Sequence, residues 1–177
     1  MADYNIISAG FGGQGGLFAG LVMTNAGLVD GKEVSWLPSY GPEMRGGTAN
    51  CSVRISDVPI GSPLVTNPNI VIALNGPSFD KFTEMAAPGA CVFYNSNLSD
   101  GKTNRTDIKL FPVEATRLAD EENLQSLGNM IIIGKVLKET GFSSLQSVEQ
   151  AVGKSVKERH KHLLEPNMRA IKLGMSL

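Results

Sequence analysis

Short apolar runs alternate along the chain with longer stretches of helical character. The runs NIISAG, Ile70–Asn75 and Ala90–Asn95 are apolar almost throughout, which is typical of strands buried on both faces of a sheet. The small and apolar residues of Gly16–Val29 predict a helix that packs closely on a sheet, and Glu33–Pro38 predicts a strand after it. The chain therefore opens with a strand–helix–strand unit, the building block of a parallel sheet.

Later segments continue this alternation and then become helical. TANCSVRISD and IKLFPV predict two further strands, and PSFDKFTEMA and VEATRLADE predict helices. SLGNMIIIGKVLKETG predicts a helix that ends at Gly141, Ser143 and Gln146 predict a capping box for the next helix, and a last helix is predicted over 158–173. We interpret residues 1–177 as one α/β domain, an open and mostly parallel sheet flanked by helices, with extra C-terminal helices.

Composition and charge narrow the classes of function. The chain has 42% hydrophobic residues, 19% charged residues and a net charge of −1. A nearly neutral chain has no overall attraction to nucleic acid or to an anionic membrane, so neither is expected as a partner. No apolar run reaches the ~20 residues that span a bilayer, and MADYNIISAG lacks the basic and apolar parts of a signal peptide. The expected location is the cytoplasm.

Neither the cysteines nor the histidines indicate a metal site. Cys51 and Cys91 lie in apolar strand-like runs, as expected of buried free thiols, and two cysteines without a CxxC pair do not hold an iron–sulfur cluster by themselves. His160 and His162 are two residues apart in a charged segment, so they do not share a helix face. We expect a solvated helix surface there.

The glycine-rich segment GFGGQGG indicates a close approach to the backbone. Gly10, Gly12 and Gly15 form G-x-G-x-x-G between the first predicted strand and helix, which is the context of a dinucleotide-binding loop. Glycines let a phosphate or another backbone reach the unpaired N–H groups of the helix N-terminus. Within the loop, Gly13 is followed by Gln14, which places an amide donor and acceptor at the helix mouth. A tight loop needed only for packing is the alternative.

One part of the dinucleotide fingerprint is missing. A nicotinamide site needs Asp or Glu at the end of the second strand, where it binds the ribose hydroxyls. Here that strand ends in Trp-Leu-Pro-Ser, whereas Glu33 lies at its other end and Glu43 lies in the following loop. The sequence therefore disfavours NAD.

The loop PSYGPEMRGG, Pro38–Gly47, follows the second predicted strand. Because the carboxyl ends of parallel strands share one edge of a sheet, we expect this loop to lie beside the glycine loop and to bring Tyr40, Glu43 and Arg45 to the same rim as Gln14. Arg45 could bind a phosphate or carboxylate in bidentate fashion, or it could form a structural pair with Glu43.

Three long segments resemble a known family. GFGGQG, WLPSYGPEMRGGTANCSVRISDVPIGSP and IVIALNGPSFDKF closely resemble the gamma subunit of 2-oxoacid:ferredoxin oxidoreductases, and PSYGPEMRGGTANC is most similar to the 2-oxoglutarate type. The resemblance is strong from about Tyr4 to Asn95. The residues that match the two signature loops are Gly12, Gly13, Gln14, Gly15, Pro42, Glu43, Arg45 and Gly46.

The resemblance implies a Rossmann-like fold and a place in a larger enzyme. The family oxidatively decarboxylates a 2-oxoacid on thiamine diphosphate, passes electrons through iron–sulfur clusters to ferredoxin and releases an acyl-CoA. The thiamine diphosphate, magnesium and cluster sites belong mainly to alpha, beta and delta partner subunits. This chain has neither a GDG…N motif nor a cysteine cluster, so we expect it to bind none of these cofactors alone and to contact ferredoxin only indirectly. The motif leaves open whether the signature loops contact coenzyme A, the substrate or a neighbouring subunit.

Three hypotheses remain open at this point. The first is an accessory subunit that completes the active-site mouth or a coenzyme A phosphate site. The second is an independent protein that binds NAD or FAD on the glycine loop. In the third, both loops are docking surfaces for partner subunits and bind no small molecule, because glycine lets a partner backbone approach as readily as a phosphate.

Overall fold

The computed structural model describes residues 3–39 and 48–177. The strands of this part of the chain are β1 (Asp3–Phe11), β2 (Glu33–Ser39), β3 (Thr48–Ser56), β4 (Ile70–Ala73), β5 (Cys91–Asn95) and β6 (Lys109–Val113). The helices are α1 (Gly16–Val29), α2 (Gly76–Glu84), α3 (Ala115–Glu121), α4 (Gly128–Thr140), α5 (Leu145–Ser155) and α6 (Leu164–Ser176), and a 3₁₀ helix (Glu158–Leu163) precedes α6.

The strands form one sheet in the order β2-β3-β1-β4-β5-β6. The pairs β1–β4, β4–β5 and β5–β6 are parallel, whereas β3 runs antiparallel to both β1 and β2. The predicted open, mostly parallel α/β sheet is therefore confirmed. The strand–helix–strand unit differs in one respect, because β2 runs parallel to β1 but β3 lies between them. Residues 40–47 are too short for the crossover that a parallel β2–β3 pair would need.

The helices cover the two faces of the sheet unequally. Alternate strand residues point to opposite faces, so Ile6 and Ile72 join the core beneath α1, α4, α5 and α6, whereas Ile7 and Val71 join a smaller core beneath α2. Because each of these strands is buried on both faces, the runs that contain them are apolar without alternation.

Helix α1 lies unusually close to β3. A Cβ atom on Gly20 would lie 2.3 Å from Sγ of Cys51, so a larger residue at position 20 would push the helix off the sheet. Cys51 is fully buried beneath this helix, and burial raises the pKa of its thiol to about 11. The predicted buried thiol at position 51 is confirmed.

Two predicted helix boundaries were wrong. Helix α5 begins one residue later than predicted, because Oγ of Ser144 accepts a hydrogen bond from the Ser147 N–H at 3.0 Å, while Ser143 donates instead to Asp30 at 2.6 Å. The last predicted helix is also divided: a 3₁₀ helix reaches Leu163 and an α-helix starts at Leu164. Pro166 explains the break, since its ring would clash with the carbonyl four residues earlier in a continuous helix.

The end of α4 follows the prediction. Gly141 adopts a left-handed conformation with φ of 59° after the last helical residue, Thr140, and its N–H donates to the Leu137 carbonyl at 2.9 Å. Among the helices of residues 3–39 and 48–177, none combines the length and the apolar composition that crossing a membrane requires.

Candidate functional site

The glycine loop connects the carboxyl end of β1 to the N-terminus of α1. Gly10 is buried in β1, whereas Gly12 and Gly13 are exposed at the loop tip. Gly13 and Gly15 have φ angles of 94° and 80°, a region that other residues enter only with strain. Two of the glycines are thus needed for the path of the backbone itself.

The side chain of Gln14 is held by its own loop and by the end of β4. Its Oε1 accepts hydrogen bonds from the Phe11 N–H at 2.7 Å and from Nδ2 of Asn75 at 2.9 Å, and its Nε2 donates to the Leu74 carbonyl at 3.3 Å. The amide predicted at the helix mouth is therefore present, and its polar atoms fasten the loop to the neighbouring strand. The shape of the loop depends on Gln14 as well as on the glycines.

Gly15 is held from the other side by α4. Nδ2 of Asn129 donates to the Gly15 carbonyl at 3.1 Å, and a Cβ atom on Gly15 would lie 2.4 Å from that nitrogen. The loop is consequently fixed between the end of β4 and the start of α4.

The loop, the ends of β4 and β5 and the starts of α3 and α4 enclose a cavity of about 200 Å³, which we call the glycine cleft. It opens at the carboxyl edge of the parallel strands, where ligands bind in open α/β sheets. Its lining comprises Gly13, Gln14, Leu74, Asn95, Leu98, Thr116, Ala119, Asp120, Ser126, Gly128 and Asn129.

Helices α1 and α4 both begin beside the glycine cleft. Helix α1 starts at Gly16 and α4 starts at Gly128, and neither has a side-chain cap or an acidic residue in its first turn. The N-terminus of each helix carries about half a positive charge on its unpaired N–H groups. The cleft therefore offers a positive field and main-chain donors, which suit an anionic group.

The side chains of the glycine cleft suit binding rather than proton transfer. Asn95 donates from Nδ2 to Oγ1 of Thr116 at 2.9 Å and accepts at Oδ1 from the Asn97 N–H at 3.2 Å. Asp120 is the one ionisable group among the described residues that line the cleft. With amides, a hydroxyl and one exposed carboxylate, the cleft has hydrogen-bonding capacity but no acid–base pair.

The structure describes the two ends of the second predicted loop but not residues 40–47. Tyr40, Glu43, Arg45 and Gly46 lie outside the described residues, as does the matching Pro42. The chain leaves β2 at Ser39, which pairs with Asn50, and enters β3 at Thr48, which pairs with Phe11 at the start of the glycine loop. Both flanks of the second loop thus lie at the sheet edge that carries the glycine loop, and a rim shared by the two loops stays a prediction.

The sequence reasoning missed the asparagines of the site. Asn75 donates a hydrogen bond to Gln14. Asn95 lines the glycine cleft, and Asn129 donates a hydrogen bond to Gly15. A pattern that could have revealed the first two is present, because two buried parallel strands each run directly into Asn at the ligand-binding edge. The role of Asn129 could not be predicted from the sequence, because it depends on the packing of α4 against the start of α1.

The histidines and cysteines form no common centre. In the part of the chain that the structure describes, no three His, Cys, Asp or Glu side chains come together as a metal site would require. The two ring centroids of His160 and His162 lie 6.1 Å apart, and Cys91 is half-buried in β5, away from Cys51 in β3.

Two proteins with named roles are similar to this chain in sequence. The chain is 36% identical over 151 residues to the 2-oxoglutarate synthase subunit KorC of Methanocaldococcus jannaschii, an alignment that covers 84% of this chain and 81% of that protein. It is 34% identical over 168 residues to the ketoisovalerate oxidoreductase subunit VorA of Methanothermobacter thermautotrophicus, covering 94% of this chain. The alignment covers 34% of VorA, so this chain spans about a third of that relative's length.

A solved structure and a family model agree with these relatives. The gamma subunit of a keto/oxoacid ferredoxin oxidoreductase from Geobacter sulfurreducens superposes with a TM-score of 0.82 at 27% identity, covering 98% of this chain and 96% of that one. The model of the pyruvate ferredoxin/flavodoxin oxidoreductase family matches residues 5–177. Because this match includes the glycine loop, the sheet and the C-terminal helices, the chain belongs to the pyruvate ferredoxin/flavodoxin oxidoreductase family.

Proposed function

We propose that this chain is the gamma subunit of a thiamine diphosphate-dependent 2-oxoacid:ferredoxin oxidoreductase and that its glycine cleft binds a phosphate of coenzyme A. The observation that carries the proposal is that α1 and α4 both begin beside a cleft lined by Gly13 and Gly128. Main-chain N–H groups at helix N-termini are a common means of binding phosphate. The family match supplies the reaction class.

Partner subunits would supply the redox chemistry. An iron–sulfur cluster usually needs four thiolates, and the whole chain has two cysteines, of which Cys51 is buried with a raised pKa. We therefore assign thiamine diphosphate, magnesium and the clusters to alpha, beta and delta subunits, and the transfer of electrons to ferredoxin occurs through them. Purification from the native source should yield this chain with cluster-bearing partners, whereas recovery of a lone chain at native levels would contradict the assignment.

The proposed acid is 2-oxoglutarate. The chain aligns with most of a KorC subunit, whose name specifies 2-oxoglutarate, although VorA, named for ketoisovalerate, is almost as similar. The purified complex should therefore be assayed with 2-oxoglutarate, pyruvate and 2-oxoisovalerate in parallel. The highest kcat/KM with 2-oxoglutarate supports the proposal, and a preference for either other acid replaces it.

Asp120 provides a direct test of anion binding in the glycine cleft. Its carboxylate lines the cleft and would repel a phosphate, so Asp120→Asn in the assembled complex should lower the KM for coenzyme A by roughly 1.5- to 5-fold, the effect of an exposed charge. The KM for the 2-oxoacid should not change. Asp80→Asn is the matched control because Asp80 is exposed on α2, away from the cleft. Equal responses of the two variants would exclude a phosphate in this cleft.

A docking role is the second candidate, and the uneven cover of the sheet favours it. Helix α2 contacts β4 and β1, and the segment of residues 62–65 lies over the same face of β3, where Ser52 is buried. No described helix covers this face of β2, where Leu37 is 39% exposed. We propose that a partner subunit covers this face. Hydrogen exchange of the complex against the free chain should then slow at β2 and β3, and unchanged exchange there would contradict the docking role.

A further inference from the structure

A second cavity lies behind the glycine loop and shares only two lining residues with the glycine cleft. It has a volume of about 430 Å³ and lies between the start of α1, the start of α4, the 3₁₀ helix and α6. Ser126 and Asn129 line both cavities and form the wall between them. We call it the rear cleft. Its size is within the range of small-molecule sites.

Two buried asparagines whose amide oxygens have no partner line the rear cleft. Asn129 is 6% exposed and Asn167 is 3% exposed, and Oδ1 of each makes no hydrogen bond within the described part of the chain. Leaving such an acceptor unpaired in a folded interior is unfavourable, so each of these atoms requires an explanation.

The orientation of both amides is fixed. Nδ2 of Asn129 donates to the Gly15 carbonyl at 3.1 Å, and Nδ2 of Asn167 donates to the Leu163 carbonyl at 2.7 Å. Rotating either amide by half a turn would place its oxygen against a carbonyl oxygen, which is repulsive. Both Oδ1 atoms are therefore acceptors that await an N–H or O–H donor.

The rim of the rear cleft is cationic. Lys157 and Arg159 are exposed at its mouth, and no ion pair joins either of them to any carboxylate whose side chain the structure describes. Nε of Arg159 lies 3.1 Å from Nε2 of His160, which also lines the cleft. These groups attract an anion to the mouth of the cleft.

The body of the rear cleft is apolar. Its apolar residues are Phe18 from α1, Leu127 before α4, Val156 before the 3₁₀ helix and Leu163 at the end of that helix. An apolar body with a few fixed polar groups is typical of a site for a small organic molecule.

We infer that the rear cleft binds a small organic anion that combines an apolar body with N–H or O–H donors. The donors pair with Oδ1 of Asn129 and Asn167, the apolar body lies against Phe18 and Leu163, and the anionic group lies at Lys157 and Arg159. This site goes beyond the proposed function, because it uses a different cavity and, apart from the shared wall, none of the side chains that line the glycine cleft.

The test uses the full chain and 8-anilinonaphthalene-1-sulfonate, a probe that has an aromatic body, a secondary amine donor and a sulfonate. We expect saturable binding of one probe per chain by fluorescence titration. Arg159→Gln and Asn167→Ala should each raise its Kd by roughly three- to tenfold, the range for one lost polar contact to an anion or a donor. Lys172→Gln, an equal change of charge at an exposed position on α6, should leave Kd unchanged.

Asn167→Ala has a second readout that separates ligand binding from a structural role. Ala is the better helix former and removes an unpaired buried oxygen, and these gains should offset the lost hydrogen bond to the Leu163 carbonyl. This variant should therefore keep its melting temperature while it loses probe affinity. A lower melting temperature together with unchanged affinity would overturn the proposal. Probe binding that responds to none of these variants is non-specific and would overturn it as well.

Competition experiments test whether the rear cleft is independent of the proposed coenzyme A site and of the partner subunits. The probe should bind equally well in the presence of saturating coenzyme A and in the assembled complex. Displacement by coenzyme A that depends on Arg159 would show that the rear cleft is an extension of the coenzyme A site. If assembly with the partner subunits abolishes probe binding in the absence of coenzyme A, a partner subunit fills the rear cleft. Either result overturns an independent small-molecule site, and neither affects the Asp120 test of the glycine cleft.

Discussion

Asn75 donates a hydrogen bond from Nδ2 to Oε1 of Gln14 across 2.9 Å, and its Oδ1 accepts from the Ser78 N–H at 2.9 Å. One side chain therefore caps α2 and also holds the loop that leads into α1. Because these helices lie on opposite faces of the sheet, the contact couples the two layers at the edge where the glycine cleft opens.

Gln14→Ala should destabilise the chain by about 1–2 kcal/mol. The substitution leaves the Phe11 N–H, Nδ2 of Asn75 and the Leu74 carbonyl without their present partners, and water replaces only part of what is lost because Gln14 is half-buried. Urea unfolding measures the effect. Gln150→Ala, at an exposed position of α5, is the control and should change stability by less than about 0.5 kcal/mol. A Gln14 effect no larger than this would mean that the glycines alone fix the loop.

The apolar pattern predicted the strands and α1 well, because burial on both faces leaves a run without alternation and small residues mark a closely packed helix. The position of β3 between β1 and β2 could not be predicted in this way. An apolar run does not indicate which strand it pairs with or whether the pair is parallel. Here the short connection over residues 40–47 determines both the partner and the direction of β3 relative to β2.

The details of the site depended on contacts between distant residues. Gln14 was predicted at the helix mouth, but its partners Leu74 and Asn75 are brought to it only by the pairing of β1 with β4. The cap of α5 shows the same limitation. Adjacent serines can each serve as a cap, and the choice of Ser144 follows from Asp30, which takes the hydroxyl of Ser143.

Gly13→Ala and Gly15→Ala should separate backbone strain from steric conflict. Both glycines are left-handed, so each substitution should be unfavourable by about 1–2 kcal/mol for the backbone alone. A Cβ at position 13 meets nothing within 4 Å, whereas one at position 15 lies 2.4 Å from Nδ2 of Asn129 and would displace its hydrogen bond. We expect Gly15→Ala to lower the free energy of unfolding by about 1–3 kcal/mol more than Gly13→Ala.

A double variant checks the cause of that difference. In a chain that already carries Asn129→Ala, the steric obstacle to a Cβ at position 15 is absent. The additional destabilisation by Gly15→Ala should therefore disappear, leaving the backbone strain that Gly13→Ala also shows. If the two glycine variants are equally destabilising in the original chain, α4 does not hold the loop.

Gly134→Ala and Gly153→Ala should have opposite effects on stability. Helices α4 and α6 pack backbone against backbone, and a Cβ on Gly134 would lie 2.0 Å from the carbonyl oxygen of Ile171, which cannot move without shifting α6. Thermal or urea unfolding should show a loss of at least about 3 kcal/mol. Gly153 is exposed in α5 with nothing within 4 Å, so Ala there should stabilise by about 0.5–1 kcal/mol. A tolerated Gly134→Ala would contradict this packing.

The buried thiol of Cys51 should make stability fall as the solution becomes alkaline. Burial raises the pKa of Cys51 from near 9 to about 11, so between these values the unfolded chain has lost a proton that the folded chain retains. The free energy of unfolding should then fall with a slope of about 1.4 kcal/mol per pH unit from this group, starting near pH 9 and ending near pH 11.

The difference in slope between the original chain and Cys51→Ala isolates this contribution, because the lysines and tyrosines are common to both. Cys91→Ala is the matched control: burial also raises the pKa of the Cys91 thiol, but this residue is only half-buried, so removing it should flatten the slope less. Equal slopes for the original chain and Cys51→Ala would show that water reaches the interface between α1 and β3.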